Sequence, residues 1–315
     1  MSPLINTLIA ETGLSEHDIL RIVSNAPRRY KTYTIPKRNG GRRIISQPAR
    51  ELKALQRIVV SEVLSKLPVH SSAMAYRTGL SIRDNAAAHV NNGPILKFDF
   101  KDFFPSIIAK DWIRYCKEKN IFSDPGDIGI STQLLFQKSS GSSKLRLAIG
   151  APSSPCVSNI LMSDFDTKIA QLVSQDQVTY TRYADDLTFS AKRTGFLNRV
   201  EKFLKQVLRE VESPQLILND SKTVTATKKY KRFVTGLVLA NDNHVSLGHH
   251  RKRSIRAAVH HYTLGKLDLE EQVRLAGMLA FAYGIEPAFV SRLENKYSSA
   301  VLQQLKTVKL PPRSF

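Results

Sequence analysis

The segment TYTRYADDLTFSA, residues 179–191, sets two adjacent carboxylates, Asp185 and Asp186, inside a run otherwise built of Tyr, Thr, Leu and Phe. Those residues suit a half-buried pleated surface. Neighbours in a regular strand point to opposite faces, so both acids serve one site only from a distorted turn. Val178, Tyr180 and Arg182 alternate with Thr179, Thr181 and Tyr183, and the pattern resumes over 187–191. This predicts a strand-turn-strand hairpin with Ala184, Asp185 and Asp186 in the turn. Asp favours turns for its own hydrogen-bonding reasons, so on this segment alone an ordinary turn and a metal-binding turn both stand.

A second acid lies in a second strand-like segment: ILKFDF, 95–100, carries Asp99. Carboxylates gathered at one point repel one another unless a cation joins them, and hard oxygen donors select Mg²⁺. Such a cluster supports two-metal phosphoryl chemistry. The charge balance points the same way. Lys and Arg number 47 against 27 acids, a formal net charge of +20, which calls for a polyanionic partner, with nucleic acid the leading one. The 315 residues, 42% of them hydrophobic, suffice for a sizeable core without disulfide support.

Membrane attachment is the competing use of basic charge, but no run approaches the roughly 18 apolar residues of a spanning helix. The most apolar helical stretch, 275–285, reads as a buried helix between Arg274 and Glu286. The opening MSPLINTLIAETG lacks a basic region before its apolar residues and does not read as a secretory signal. Cys116 and Cys156 are too few and too far apart for a zinc site and fit a reducing cytoplasm.

Along the chain, Ser15 and Asp18 resemble a capping box that starts a helix ended by Pro27. YKTYTI and RRIIS flank Asn39-Gly40-Gly41, which predicts a basic two-stranded flap bearing Lys31, Lys37, Arg38, Arg42 and Arg43. Helices are expected over 51–67, over 81–92 from a Ser81/Asp84 box, and over 196–211; QLILN reads as a strand. Asn85 and His89, four apart, share a helix face. Residues 120–146 read as loop-rich, most flexible around Ser139-Ser140-Gly141-Ser142-Ser143. From about 248 the chain reads as helical and basic, with Arg251, Lys252, Arg253 and Arg256 grouped.

In this order the segments resemble a reverse transcriptase. KRNGGRRIISQP with LKALQ is similar to the family's first block, AYRTGLSIRDNAAAH to the second and KFDFKDFFPS to the third. GAPSSP, YADD, LILNDSKT and FVTGL are similar to the fourth to seventh. The NAAAH helix and the triplet Val234-Thr235-Gly236 resemble elements that set retron reverse transcriptases apart, and the short length leaves no room for RNase H, integrase or maturase domains.

The resemblance implies an α+β right-hand polymerase, with interleaved fingers and palm over 1–240 and a basic helical thumb over 241–315. It implies that Asp99, Asp185 and Asp186 hold two Mg²⁺ ions, with Tyr183 and Ala184 on the primer side. Lys222 then protonates departing pyrophosphate. Arg43 and Arg77, helped by Lys37 or Arg42, clamp the triphosphate. Phe104, five residues after Asp99, rejects a ribose 2′-OH. Where many relatives carry Gln, this chain has Ile149, so the backbone of Gly150 and Ala151 is left to contact nucleotide. Asn85, His89, Val234, Thr235, Gly236, Arg251, Lys252, Arg253 and Arg256 are implied nucleic-acid contacts; His249, His250, His260 and His261 read as surface histidines.

The implied activity is RNA-directed DNA synthesis in the bacterial cytoplasm from dNTPs. It is primed at a guanosine 2′-OH of a structured non-coding RNA and gives branched multicopy single-stranded DNA. A separate effector protein, a higher-order complex and a role in antiphage defence follow by the same analogy. Two alternatives stand beside it: another small bacterial reverse transcriptase (intron-type or diversity-generating) with a 3′-OH primer, and an RNA-binding scaffold with a vestigial site.

Overall fold

In a computed structural model, residues 2–37, 40–139, 141 and 143–308 are described. Arg38 and Asn39 of the expected flap turn, Ser140 and Ser142 of the serine-rich loop, and residues 309–315 of the expected thumb lie outside them. The chain folds into two compact units. One comprises Met1–Thr78, Leu96–Phe189 and Gly195–Thr225, the other Gly79–Ile95, Ser190–Thr194 and Ala226–Phe315.

In the first unit the helices Pro3–Thr12, Glu16–Asn25, Arg50–Glu62 and Pro125–Leu135 pack on one another. Leu52, Leu55 and Val59, spaced for one helical face, are fully or almost fully buried, as their period requires. Two expectations shift here. The helix expected over 51–67 ends at Glu62, and Leu64–Lys66 tightens into a 3₁₀ turn. The region expected to be loop-rich holds the helix Pro125–Leu135, started by Asp124, whose carboxylate accepts from the Gly126 N–H at 2.8 Å, with Pro125 in its first turn. That pairing is a regular start signal. The apolar stripe that would have exposed this helix is broken by the buried Ser131 and Thr132.

The flap forms as expected: Tyr30–Pro36 pairs antiparallel with Arg42–Pro48, Tyr33 opposite Ile45 and Ile35 opposite Arg43. Arg42 spends its Nε on the Thr34 hydroxyl at 2.9 Å, whereas Arg43 is exposed.

In the second unit a three-stranded sheet, with Leu237–Leu239 between Arg232–Val234 and Val245–Ser246, packs with the short helix Ile82–Ala87. The helices His249–Thr263, Leu269–Ile285, Pro287–Tyr297 and Ser299–Thr307 complete it. Its core gathers Val234, Leu237, Ile255, Leu275, Leu279 and Phe289. Thr235 and Gly236 form the two-residue turn between Val234 and Leu237, at φ 47° and 78°. Mirror-image hairpin turns demand positive φ at both positions, which Gly meets freely. The Thr235 hydroxyl ties the turn to the Ile82 carbonyl at 3.0 Å.

This unit corrects several expected nucleic-acid contacts. Asn85, His89 and Val234 are 1%, 0% and 0% exposed, so their side chains do not reach a surface ligand. His89 instead meets the Ser190 hydroxyl at 2.6 Å, which also accepts from Asn92 at 2.8 Å. The helix expected over 81–92 stops at Ala87, and this buried polar knot holds the turns that follow. Lys252 is engaged too, paired with Glu286 at 2.5 Å. Arg253 and Arg256 remain exposed, Arg256 over the Phe289 ring at 5.3 Å and the half-buried Arg251 over Phe281 at 5.2 Å.

Candidate active site

A four-stranded sheet, most of whose residues belong to the first unit, runs in the order Thr179–Tyr183, Asp186–Ser190, Ile95–Asp99, Val224–Ala226. The hairpin is tighter than the alternation predicts. Only Ala184 and Asp185 occupy the turn, and Asp186 opens the return strand. Ala184 takes φ 58°, the left-handed geometry that lets so short a turn place Asp185 off the strand register. The end of the Asp99 strand is stitched beside it: the Phe100 N–H donates to the Asp185 carbonyl at 3.2 Å, and the Asp99 carbonyl accepts from the Asn219 N–H at 2.8 Å. QLILN, read as a strand, contributes only an isolated bridge between Leu218 and Phe100.

The three acids therefore act on one another through protein. Burial, then the charges of Asp186 and Asp99, push the Asp185 carboxyl up to about 6. Burial also raises Asp186, with Asp99 adding to the rise and Lys97 opposing it. Lys222 bonds both oxygens of Asp99 at 2.9 Å. Partial burial works against its ammonium, but the Asp99 bond and the charges of all three acids outweigh that and raise its pKa.

A buried network fixes the hairpin from behind. Arg182, 0% exposed, forks onto the equally buried Asp166, with Nε at 2.9 and 3.1 Å and Nη2 at 2.6 Å. Its Nη1 donates to Asn159 Oδ1 at 3.1 Å and to the carbonyl of Ala184, the turn residue itself, at 3.3 Å. Tyr180 adds a hydroxyl bond to Asp166 at 2.7 Å. Asn159 passes the restraint on, donating to the Ala75 carbonyl at 2.8 Å, while the Arg182 backbone pairs with Ser72 and Met74 at 2.7 and 2.8 Å. Sequence reasoning missed this network. Its one signal was a charged Arg at a strand position, meaningful only once Asp166, sixteen residues earlier, is seen opposite.

The same unit holds the other expected nucleotide-binding residues. Phe104 is half-buried, its ring 5.3 Å from Phe103 and 6.4 Å from Tyr76. Arg77 turns Nη1 onto the carbonyls of His70, Ser71 and Ala73 at 3.3 to 3.5 Å, so part of its fork braces its own loop. The Ile149 carbonyl accepts from the Ser46 N–H of the flap at 2.8 Å, and a Cβ on Gly150 would meet the Ser46 oxygen at 3.1 Å. Gly150, at φ 118°, is thus the residue that lets the flap strand lie this close. Ala151 is buried beside it.

The residues fit a divalent cation in donor chemistry: hard carboxylate oxygens, partly buried, with burial first and mutual repulsion second raising the Asp185 pKa. Among the described residues no three His, Cys, Asp or Glu side chains close into a finished cage, and the oxygens of Asp99 are held by Lys222.

Two outcomes follow. A carboxyl whose folded pKa is raised from 3.8 to about 6 binds more protons folded than unfolded, so it costs stability as pH rises through that window. In chelator, Asp185→Asn is therefore expected to stabilise the protein at pH 7 by up to about 3 kcal/mol, the gain vanishing below about pH 4, as read by urea unfolding at both pH values. Arg182→Met leaves a buried carboxylate unpaired and is expected to cost about 3–5 kcal/mol, while adding Asp166→Leu recovers most of it. Denaturation midpoints of the single and double variants check this.

Comparison with known proteins agrees with the geometry. The family model described as "Reverse transcriptase (RNA-dependent DNA polymerase)" matches residues 35–250. The retron Ec83 reverse transcriptase of Escherichia coli is 36% identical over 295 residues, covering 92% of this chain and 94% of that protein. The retron Ec86 enzyme of the same organism is 32% identical over 317 residues, covering 97% and 95%. Among solved structures, telomerase from Candida albicans overlays with a TM-score of 0.48 at 13% identity, over 88% of this chain and 61% of that one, a likeness too loose to carry weight. The matched residues hold the acid hairpin, the Asp99 strand and most of the flap, and the chain belongs to the retron reverse transcriptases, RNA-directed DNA polymerases with an α+β reverse transcriptase fold.

Proposed function

We propose that this polymerase builds branched multicopy single-stranded DNA on a structured non-coding RNA, priming from a guanosine 2′-OH, with Asp99, Asp185 and Asp186 holding two Mg²⁺ ions. The observation that carries the reading is that the Asp185 turn is bonded beside the end of the Asp99 strand, where burial and then the charges of Asp186 and Asp99 push the Asp185 carboxyl up to about 6. Uncompensated carboxylates are costly in a folded protein and persist at sites that use them. When bound, the ions supply Lewis-acid activation of an attacking oxygen and neutralise charge on the leaving group.

The remaining roles belong to side chains. Arg43, exposed on the flap, clamps the triphosphate, joined by the part of Arg77 that its loop leaves free. The backbone of Gly150 and Ala151 lines the nucleotide site, and Phe104 sets the dNTP preference. Lys222 protonates departing pyrophosphate by exchanging Asp99 for the leaving phosphate; its raised pKa keeps it charged until then. Residues 241–315 serve as the thumb and 1–240 as fingers and palm. Arg251, Arg253 and Arg256 meet phosphates through salt-dependent contacts. Thr235 and Gly236 act by shaping the hairpin. No helix of the described residues is long and apolar enough to cross a membrane, and by family analogy the enzyme works in the bacterial cytoplasm. A separate effector protein in a larger complex, acting in antiphage defence, completes the proposal.

Replacing Asp185 and Asp186 together with Ala is expected to reduce DNA synthesis at least about 1000-fold while RNA affinity stays within about twofold, read by primer extension and filter binding. Unchanged synthesis would overturn the metal assignment. From cells carrying the neighbouring RNA gene, the product should keep an RNase-resistant 2′,5′ branch. A linear product extended from a 3′-OH favours the intron-type or diversity-generating alternative.

A further inference from the structure

Tyr76 combines three properties that an ordinary surface tyrosine lacks. Its backbone sits at φ 60°, a conformation that bulky side chains avoid. The surrounding structure enforces it, since Met74 and Ala75 just before it are bonded to Arg182 and Asn159 at 2.8 Å each. The residue nonetheless stays 53% exposed, so the strain gains only partial burial in return. Strain held in place by a rigid frame and yielding an exposed aromatic ring marks a site where the ring meets something else.

What it would meet follows from its neighbours. The ring stands 6.4 Å from Phe104, tilted by 54°, which leaves the two rings as non-parallel walls. Partial burial of the phenol, then the charges of Asp185 and Tyr183, raise its pKa, while Arg43 lowers it, so its hydroxyl lies within the electrostatic reach of both Asp185 and the flap. A ligand that meets these groups carries a flat or cyclic apolar part for the two rings and an anionic part for the Arg43 guanidinium. A deoxynucleoside triphosphate has that chemistry.

We propose that Tyr76 contacts the incoming nucleotide, its ring forming with Phe104 the slot for the deoxyribose and its hydroxyl lying on the triphosphate side. The assignment rests on the polymerase reading of the same site. The Arg182–Asn159 network then does more than fix the hairpin, because it holds the nucleotide wall and the acid turn on one frame.

The discriminating variant is Tyr76→Asn, because Asn accepts positive φ readily and removes the ring. The full-length protein would be assayed for thermal midpoint and for steady-state synthesis on a fixed template-primer with varied dTTP. A substrate contact predicts KM for dTTP raised about five- to tenfold, kcat within about twofold and an unchanged KM for template-primer, even though the thermal midpoint is equal or higher. An unchanged KM for dTTP, or an equal rise in both KM values, would overturn it. Asp185→Asn is run in parallel. If that variant still synthesises DNA, the polymerase site itself is wrong; if it is dead and Tyr76→Asn is kinetically silent, only the Tyr76 assignment falls.

Discussion

A guanidinium with no access to water needs hydrogen-bond partners in the protein, and that of Arg182 finds three of them in the first unit while its backbone engages a fourth segment. Asp166 supplies the counter-charge, Asn159 and the Ala184 carbonyl take the remaining fork, and the backbone on either side of its Cα pairs with Ser72 and Met74. Buried ion pairs of this kind contribute little net stability compared with an apolar isostere, because desolvation offsets the attraction. What they do give is position. Ala184 precedes Asp185, so a carbonyl held by a rigid fork fixes the turn from which the acid projects.

The acids in front of that brace are under the opposite stress. Asp185 is displaced toward its neutral form by burial and by two like charges, and Asp99 is met by Lys222 on both oxygens. The folded chain thus stores unfavourable electrostatics at one point and restrains the backbone there so that it does not relax away. This is the arrangement a site needs if a cation and a polyphosphate are to find donors already in place. The flap follows the same logic, since Gly150 lets its inner strand bond to the Ile149 carbonyl and sets Arg43 in electrostatic reach of Tyr76.

Much of this was legible in the sequence because it is written in short-range patterns. Period-two alternation around the acid pair gave the hairpin, the glycines at 40 and 41 gave the flap, and the order of motifs gave the family. The misreadings came from interactions between residues far apart in the chain. Asn85 and His89 share a helix face, which sequence spacing cannot distinguish as surface or core; a serine 101 residues beyond His89 decides it. Lys252 reads as a free cation until Glu286 closes on it. The helix Pro125–Leu135 was hidden because buried Ser and Thr break its apolar stripe. Tyr76 was passed over because backbone strain leaves no trace in residue type.

The central claim is that Asp99 and the Asp185 turn form one cation site serving an incoming nucleotide. Crystals of the protein with template-primer, Mn²⁺ and a non-hydrolysable dNTP analogue, measured at the manganese absorption edge, test it directly. The account predicts anomalous density for two ions bonded to the carboxylates of Asp99 and Asp185, with Lys222 displaced from Asp99. Bound nucleotide without anomalous density at those carboxylates, and with Lys222 still on Asp99, would contradict it.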